Sequence, residues 1–259
     1  MTNAFAPLYL SRLVLNPRSR QVWSELAQPY EMHRTLMRAF SKASVEAGEK
    51  AREEFGVLFR ADVDDRHNKV VVYVQSSIEP DWTFLANHRG YLLADADLRN
   101  PAWKDVAMAY QGLQSRQVFS FRLRANPTKR IGKDTANAGA LKGKRVGHLR
   151  EEEQIAWLIR KGQEREKGRP GGFEILMNEV EDPNGETRQV QRVNVRREGK
   201  QRGRKTGDLR SHETTHLAVR FEGLLRITDV NAFRETLARG IGSGKAYGFG
   251  LLSIARETI

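Results

Sequence analysis

The segment "QVFSFRLRANP", residues 117–127, indicates the fold class, because with it a pattern of elements that the first hundred residues already contain begins for a second time. Apolar and polar residues alternate strictly in it, with Phe119, Phe121 and Leu123 on one side, which predicts a β-strand with one buried face. Arg122 and Arg124 alternate with these residues and give the predicted sheet a basic second face. A chain that repeats such a pattern is expected to contain two similar halves.

The region before this strand contains the first copy of the pattern. "LYLSRLVLN" (8–16) alternates well enough to be a strand, and a helix is expected to follow through roughly 23–48. "KVVVYVQSS" (69–77) is a β-branched run typical of a buried strand, and "FGVLFRADV" (55–63) is its expected hairpin partner. Residues 79–101 contain Pro, Gly and Asn, which predicts irregular structure or a short helix.

The region after the strand contains the second copy. Residues 128–147 are rich in Gly and Lys and are predicted to form a flexible loop, and an amphipathic helix should follow over 150–166, with acids in its first turn and bases near its end. The further predicted elements are a hairpin of "FEILMNEV" and "RQVQRVNVRRE" about "DPNGE", a strand "THLAVRFEGLLRIT", a helix from the N-cap Asp229 to Gly240, and a final strand "YGFGLLSIA".

The two halves suggest the same order, strand–helix–strand–strand–helix–strand, and the first half matches it less cleanly because its clear elements end with the strand at 69–77. This order predicts an α+β fold of two tandem ferredoxin-like (RRM-like) domains with antiparallel sheets. The cut is expected at "GLQSR" (112–116), which gives an N-terminal domain of residues 1–112 and a C-terminal domain of residues 113–259.

The composition favours a polyanionic partner. The 259 residues contain 44 Lys+Arg against 32 Asp+Glu, a net charge of +12, and each phosphate that a cation neutralises releases condensed counterions. Nucleic acid is the expected partner, and a merely basic soluble protein is the alternative. Cysteine is absent, which excludes disulfides and thiolate metal sites. We also find no signal peptide and no apolar run long enough to span a membrane, so a soluble, cytoplasmic protein is expected.

Basic residues concentrate in two segments, residues 194–210 and "FRLRANPTKR" (121–130). "NVRREGKQRGRKTGDLR" (194–210) is the steepest charge feature and is interpreted as a flexible arm that grips phosphates, with a solvated loop as the alternative. The candidate RNA-binding residues are Arg122, Arg124, Lys129, Arg130, Arg196, Arg197, Lys200, Arg202, Arg204, Lys205 and Lys245.

Two motifs resemble catalytic signatures and fail on context. "HETTH" (212–216) matches the zincin pattern, but it contains β-branched threonines and runs into a predicted strand, where residues four apart are about 13 Å from each other, too far to share one zinc ion. "RGIGSGKAYGFG" (239–250) has the wrong spacing for a phosphate-binding P-loop, and Ala246 follows its lysine. Its glycines allow a close backbone approach to a large ligand, or form a tight connector between helix and strand.

The segment "QPYEMHRTLMRAF" (28–40) carries the candidate chemistry. Helical periodicity puts Tyr30, His33 and Arg34 in one sector, with Arg38 at its margin. Imidazole can give or take a proton near neutral pH, and arginines can stabilise developing negative charge, so this group could act on a phosphodiester without a metal. By itself it is more consistent with a structural histidine at the edge of a core than with catalysis.

Several segments together resemble the CasE family, the endoribonucleases that process CRISPR precursor RNA in type I-E (Cascade) systems. They are, in order, "LYLSRLVLNP", "PYEMHRTL", "FRLRANPTKR", "EEEQIAWL", "FEGLLRI" and "GIGSGKAYGFGLLSIA". The resemblance spans nearly the whole chain and implies the same pair of ferredoxin-like domains. It also implies cleavage of CRISPR repeat RNA on the 3′ side of a stem-loop, without metal or cofactor, and continued binding of the mature crRNA as a subunit of Cascade with its other proteins.

The resemblance places the catalytic histidine of the family at His33 and its nearby tyrosine at Tyr30. Some members have a lysine where this chain has Arg38, and arginine cannot donate a proton at ordinary pH. Arg34 and Arg38 are therefore supporting candidates only. Two alternatives remain: a non-catalytic RNA-binding subunit of a similar ribonucleoprotein, against which His33 argues, and a zinc peptidase built on "HETTH".

Overall fold

The computed structural model describes residues 6–40, 55–94, 99–132, 139, 143–163, 170–181, 184–205 and 212–257. Its first half is built around one antiparallel sheet. The elements are β1 (Tyr9–Leu15), α1 (Arg20–Ala27), α2 (Pro29–Met37), a 3₁₀ turn (Arg38–Phe40), β2 (Leu58–Asp64), β3 (Lys69–Ser76), a second 3₁₀ turn (Thr83–Asn87) and β4 (Ala102–Asp105). A short helix, α3 (Ala107–Gln111), then leads towards the second half.

The first sheet has the strand order β2-β3-β1-β4, which is the order of a ferredoxin-like unit. The strand β1 lies at its centre and pairs with β3 from Tyr9↔Ser76 to Leu15↔Val70. The alternation predicted from the sequence is realised, since Leu13 and Val72 are fully buried in the core beneath α1 and α2. The predicted strand at 8–16 and the hairpin of 55–63 with 69–77 are confirmed, and residues 79–101 contain only the 3₁₀ turn as a helical element among those described.

The prediction of a single helix over 23–48 is wrong, because the helical structure begins at Arg20 and is interrupted between Ala27 and Pro29. Ser19 caps α1 by accepting a hydrogen bond from the Val22 amide, and this helix ends at Ala27. Pro29 lacks an amide hydrogen and occupies the first turn of a new helix, α2. Residues 41–48 lie outside the described part of the chain. The apolar periodicity continues across the break, which is why the sequence pattern did not reveal it.

The second half repeats the arrangement with longer elements. These are β5 (Val118–Ala125), β6 (Thr128–Arg130), β7 (Arg145–Gly147), α4 (Glu151–Gln163), β8 (Phe173–Ile175), β9 (Met177–Glu181), β10 (Thr187–Gln191), β11 (Val193–Lys205), β12 (His212–Ile227), α5 (Val230–Arg239), a 3₁₀ turn (Lys245–Tyr247) and β13 (Leu252–Arg256). The main sheet has the order β11-β12-β5-β13, with β8 paired to β12. If β5, β11, β12 and β13 are numbered 1 to 4 along the chain, both sheets have the strand order 2-3-1-4.

Local signals predicted the two helices of the second half correctly. Three glutamates lie in the first turn of α4 and two bases in its last turn, which matches the helix dipole. Asp229 caps α5 by accepting from the Ala232 amide at 3.0 Å, and Gly240, at φ 72°, follows the last helical residue. The hairpin about "DPNGE" is confirmed only for its inner part, the antiparallel pair β9–β10. Its outer parts were assigned wrongly, because Phe173–Ile175 (β8) and the residues from Val193 onward (β11) pair with β12 and not with each other.

One predicted loop and one predicted strand differ from the structure. The flexible loop expected over 128–147 contains, at its two ends, the antiparallel strands β6 and β7; residues 133–138 and 140–142 lie outside the described part. The final strand begins only at Leu252, because Tyr247 belongs to the 3₁₀ turn Lys245–Tyr247 and the glycines that follow, Gly248 and Gly250, adopt positive φ.

The basic segment 194–210 was expected to be a flexible arm, and this is wrong as far as Lys205. Residues 193–205 form β11, which pairs antiparallel with β12 down to Lys205↔His212. We call this two-stranded extension, residues 198–205 with 212–218, the basic ribbon. Residues 206–211 and the side chains of 202–205 and 212–214 lie outside what the structure describes.

The chain passes from the first sheet to the second between β4 and β5, where the predicted cut at 112–116 also falls; the domain boundary itself stays a prediction. Each sheet has its own buried cluster, one around Leu13 and Phe59 and the other around Leu123 and Phe221. Within the described residues, no helix is long and apolar enough to cross a lipid bilayer.

Candidate active site

His33 lies on α2 at the edge of the first core. Met32 and Leu36 of the same helix are buried in this core and fix the rotation of α2. His33 itself is 8% exposed, and its ring stacks on Phe59 of β2 with 6.2 Å between centroids and an interplanar angle of 10°. The histidine is therefore held against the sheet by aromatic packing, and only a small part of it reaches solvent.

Tyr30, one turn before His33, connects α2 with the second half of the molecule. Its ring centroid is 6.0 Å from that of His33 and 5.9 Å from that of Tyr247, which lies in the glycine-rich segment after α5. Tyr30 packs against a small cluster that also contains Ala218 and Phe249. The predicted pair of site residues is thus brought together by the structure, at the surface where the two halves meet.

The glycine-rich segment is a tight connector that approaches this site closely. Gly248 has φ +77°, a conformation that residues with a side chain rarely adopt. A Cβ atom at this position would lie 3.1 Å from the Phe59 ring, the same ring on which His33 stacks. A residue larger than glycine would therefore disturb both the backbone of the connector and the support of His33.

The supporting candidates Arg34 and Arg38 contact other groups. The Arg34 side chain is 64% exposed and donates to Glu31 at 3.0 Å. Arg38 donates to Nε2 of His88 at 2.6 Å, and its guanidinium carbon lies 4.6 Å from the centroid of Phe84. Because arginine only donates, His88 accepts this bond, and Arg38 is held at the 3₁₀ turn of residues 83–87.

A large cationic cavity lies beside the glycine-rich segment. Its volume is about 1120 Å³, and among the described residues that line it there are seven bases and no acid. The bases are Lys129, Arg130, Arg145, Arg160, Lys161, Arg239 and Lys245. The sequence predicted three of them, but Arg145, Arg160, Lys161 and Arg239 were missed because they are dispersed over a strand and two helices and form no local run.

Arg122 and Arg124, predicted on a basic sheet face, both pair with carboxylates. Arg122 contacts Asp62 of β2 at 3.1 Å and Glu222 of β12 at 2.5 Å. Burial raises the pKa of Asp62, but the hydrogen bonds and charges of Arg60 and Arg122 outweigh this and leave that pKa below its usual value. This face of the second sheet therefore meets the first half through an ion network.

The other predicted RNA-binding residues lie on β11. Arg196, Arg197 and Lys200 lie on its described part, and Arg197 also donates to the Leu149 carbonyl at 3.3 Å. For Arg202, Arg204 and Lys205 the structure gives only their place on the strand.

The "HETTH" segment forms the start of β12, so its two histidines are four residues apart on a strand, as predicted. His216 accepts a hydrogen bond from the Asn126 amide at 3.0 Å, and its ring lies 4.5 Å from that of Tyr247. Burial lowers the pKa of His216, which favours its neutral form. Within the described part of the chain, no three His, Asp or Glu residues are grouped so that they could hold a metal ion.

Tyr247 and Phe249 were not singled out from the sequence. Each lies beside glycines in "KAYGFG", and aromatic residues next to the glycines of a connector are the only local signal that could have indicated a packing role.

Comparison of the chain with known proteins identifies one family. The model of a family described as CRISPR associated protein matches residues 8–256. CRISPR-associated endoribonuclease Cse3 of Thermus thermophilus is 38% identical over 248 residues, which cover 96% of this chain and all of the relative. The CRISPR system Cascade subunit CasE of Escherichia coli is 35% identical over 253 residues, covering 96% of this chain and 99% of the relative.

A solved structure of Cse3 bound to a 19-nucleotide RNA matches with a TM-score of 0.69 and 35% identity, over 96% of this chain and 99% of that one. The predicted fold class of two tandem ferredoxin-like domains is thereby confirmed. With matches of this identity along nearly its whole length, the chain belongs to the CasE/Cse3 family of CRISPR-associated proteins of type I-E systems.

Proposed function

We propose that this protein is an endoribonuclease that cleaves CRISPR repeat stem-loop RNA without a metal ion and keeps the mature crRNA bound. The observation that carries the proposal is that Tyr30 lies against both His33 and Tyr247, in a molecule whose glycine-rich segment also borders a cationic cavity large enough for several phosphates. The relative Cse3, named an endoribonuclease and solved with RNA bound, supports the same activity.

The reaction is an internal transesterification. The ribose 2′-oxygen attacks the adjacent phosphorus, the new 2′-O–P bond forms, and the bond from phosphorus to the 5′-oxygen of the next nucleotide breaks. The proton of the 2′-hydroxyl is removed, and the leaving 5′-oxygen gains one. The products are a 2′,3′-cyclic phosphate and a 5′-hydroxyl, and DNA is not a substrate because it lacks the attacking group.

The residues of α2 perform the proton transfers in this scheme. His33 is the group that exchanges a proton with the reacting oxygens, because imidazole is the side chain that gives and takes protons near neutral pH. The Tyr30 hydroxyl donates a hydrogen bond to the phosphate oxygens as negative charge develops on them. Phe59 holds His33 in place and Tyr247 holds Tyr30, so these side chains lose less conformational freedom when the substrate binds.

The RNA stem is bound by the second half. The bases of the cationic cavity, among them Lys129, Arg130 and Lys245, neutralise phosphates near the site. Arg196, Arg197 and Lys200, exposed on β11, supply further positive charge for the RNA. The relative in Escherichia coli is named a Cascade subunit, and we infer that this protein likewise assembles with other Cascade proteins in the cytoplasm.

The test is incubation of the purified protein with the repeat RNA of its own host in excess EDTA, followed by end-group analysis. We expect one cut, a 2′,3′-cyclic phosphate and a 5′-hydroxyl, and no cut when the nucleotide before the scissile phosphate is a 2′-deoxynucleotide. Cleavage that needs a divalent cation, or that leaves a 5′-phosphate, would overturn this mechanism. Tight RNA binding without any cleavage would favour the non-catalytic RNA-binding subunit instead.

A further inference from the structure

The basic strand β11 contains one acid whose position is unusual. Glu198 lies between Arg197 and Lys200, in a segment otherwise composed of basic and neutral residues. The pairing with β12 shifts here from Arg197↔Val219 to Gly199↔Ala218, so Glu198 has no partner across the ladder. This shift is a β-bulge, made possible by Gly199 at φ +96°, and bulges re-aim side chains.

The bulge aims the Glu198 carboxylate between two arginines. It accepts from Nε of Arg124 at 2.7 Å and lies 3.4 Å from Nε of Arg220. Both arginine side chains are largely buried, at 11% and 17% exposure, and they lie directly opposite each other on β5 and β12. Like charges at facing positions repel each other and destabilise a sheet. The negative charge of Glu198 reduces this repulsion between Arg124 and Arg220.

Arg124 connects this carboxylate with the glycine-rich segment. Its Nη1 donates to the Tyr247 carbonyl at 3.4 Å, and its guanidinium lies 4.7 Å from the centroid of Phe249. The Gly250 amide also donates to the Arg124 carbonyl at 2.8 Å. Arg124 therefore fixes the segment that carries Tyr247, and Tyr247 in turn contacts Tyr30 of the catalytic helix.

We propose that Glu198 is a positioning residue for RNA cleavage, holding Arg124 in the orientation that seats Tyr247 against Tyr30. The inference rests on the proposed endoribonuclease activity. It gives the basic ribbon a second role, because the strand that binds RNA phosphates then also supports the catalytic helix through one chain of contacts.

Glu198→Gln tests this inference because two effects of the change have opposite signs. Loss of one negative charge from a basic surface should leave RNA affinity equal or higher. Loss of the partner of Arg124 should slow single-turnover cleavage at saturating RNA by about 10- to 100-fold, since small displacements of reacting groups are costly. A residue that only adjusts surface charge would change affinity and leave the cleavage rate alone.

Glu174→Gln is the matched control. It removes the same charge from an exposed pair with Arg226, at 2.9 Å on β8 and β12, and should cleave at the wild-type rate. Glu198→Gln also removes the carboxylate that lies between Arg124 and Arg220, while Arg220 keeps its 3.8 Å contact with Glu222. The two facing arginines then repel each other more strongly, which lowers stability. The double variant Glu198→Gln with Arg220→Gln removes this repulsion, so its melting temperature should recover while its cleavage stays slow.

The outcomes separate the two proposals. If wild type does not cleave repeat RNA, the proposed function fails. If wild type cleaves and Glu198→Gln cleaves equally fast at saturation, or if the double variant recovers both stability and rate, Glu198 has no positioning role. Slow cleavage in both variants, with retained RNA affinity, supports the inference.

Discussion

The two halves have the same strand order and divide charge and chemistry between them. Most of the basic runs of the sequence, including 194–210, lie after residue 112. The candidate catalytic side chains, His33 and Tyr30, are on α2 of the first half, whereas the cationic cavity is lined by bases of the second half. In the proposed function, proton transfer and phosphate binding therefore lie on different copies of one unit.

The two halves also differ in the length of their helices. The second half carries α4 and α5, of 13 and 10 residues, whereas the described part of the first half has only a 3₁₀ turn where its second long helix would stand. The repeated fold thus has one regular unit, to which we assign RNA binding, and one less regular unit that presents α2 at the shared surface. If this division is real, changes in the first half alter the cleavage rate and changes in the second half alter affinity.

The largest effect is expected for His33→Ala. Removal of the imidazole should reduce single-turnover cleavage by about 10⁴-fold, the upper range for one general acid–base group, while RNA affinity changes little. Rates at saturating RNA and binding titrations measure the two quantities separately. His67→Ala, which removes an exposed histidine paired with Asp64, is the control and should be silent. A loss of affinity equal to the loss of rate would contradict the division between the halves.

Tyr30→Phe should have a smaller effect on the same quantity. The ring contacts with His33 and Tyr247 are retained, so only the hydroxyl is lost, and we expect about a 10²-fold slower cleavage. Tyr9→Phe, on β1 against Trp103, is the control for loss of a tyrosine hydroxyl. An unchanged rate in Tyr30→Phe would reduce the hydroxyl to a structural part of the interface.

The sequence predicted those features whose cause is local. The strands β1, β3 and β5 could be found because alternation or β-branched residues mark them, and α5 because Asp229 and Gly240 mark its ends. The basic ribbon could not be predicted as a strand pair, since a segment rich in Gly and Arg is typical of a loop. It is a strand because it pairs with β12, which is distant information that its own residues do not carry.

The candidate site was predictable only in part for the same reason. Tyr30 and His33 are one helical turn apart and are visible as a pair, whereas Tyr247 is far away in the sequence and meets them only through the packing of the two halves. The face of β5 with Arg122 and Arg124 was expected to be open to RNA, because a strand pattern shows that a face is polar but not what covers it. As RNA contacts these two residues stay predictions.

On the basic half, joint replacement of Arg202, Arg204 and Lys205 by alanine should lower RNA affinity and its salt dependence. If all three contact phosphates, the slope of log affinity against log salt should become shallower by about 0.9 for each, or about 2.7 in total, with the B-DNA coefficient taken for an RNA stem. Cleavage at saturating RNA should be unchanged, since the ribbon ends are not proposed to move protons.

The control for this triple variant removes three exposed bases from the first half, Arg18, Arg66 and Arg89. It changes the net charge equally and should leave the salt slope as in wild type. Parallel lines for wild type and the ribbon variant would leave the ribbon ends without a role in RNA binding, and a shallower slope in the control would show that affinity follows net charge alone.

The smallest effect is expected where the halves meet, for Arg122→Ala. Arg122 is 41% exposed and bridges Asp62 of the first half to Glu222 of the second, while Asp62 keeps its pairing with Arg60. Partly exposed pairs of this kind contribute about 1 kcal/mol, which corresponds to a melting temperature lower by roughly 2–4 °C for a chain of this size. RNA affinity should change little, because this guanidinium is already neutralised by two carboxylates. A loss of affinity at unchanged melting temperature would instead return Arg122 to the RNA-binding surface.

The pH dependence of this effect tests whether it is electrostatic. The pKa of Asp62 is lower in the folded protein than in the unfolded chain, so its contribution to stability is present above the unfolded value, about 3.9, and is lost as the pH falls through and below it. Without Arg122 this lowering of the pKa is smaller. The difference in melting temperature between wild type and Arg122→Ala should therefore be largest near neutral pH and shrink below about pH 4, whereas loss of aliphatic packing alone would give a difference that does not depend on pH. Thermal unfolding of both proteins across this range distinguishes stabilisation by the carboxylates that contact Arg122 from stabilisation by a side chain that only fills space.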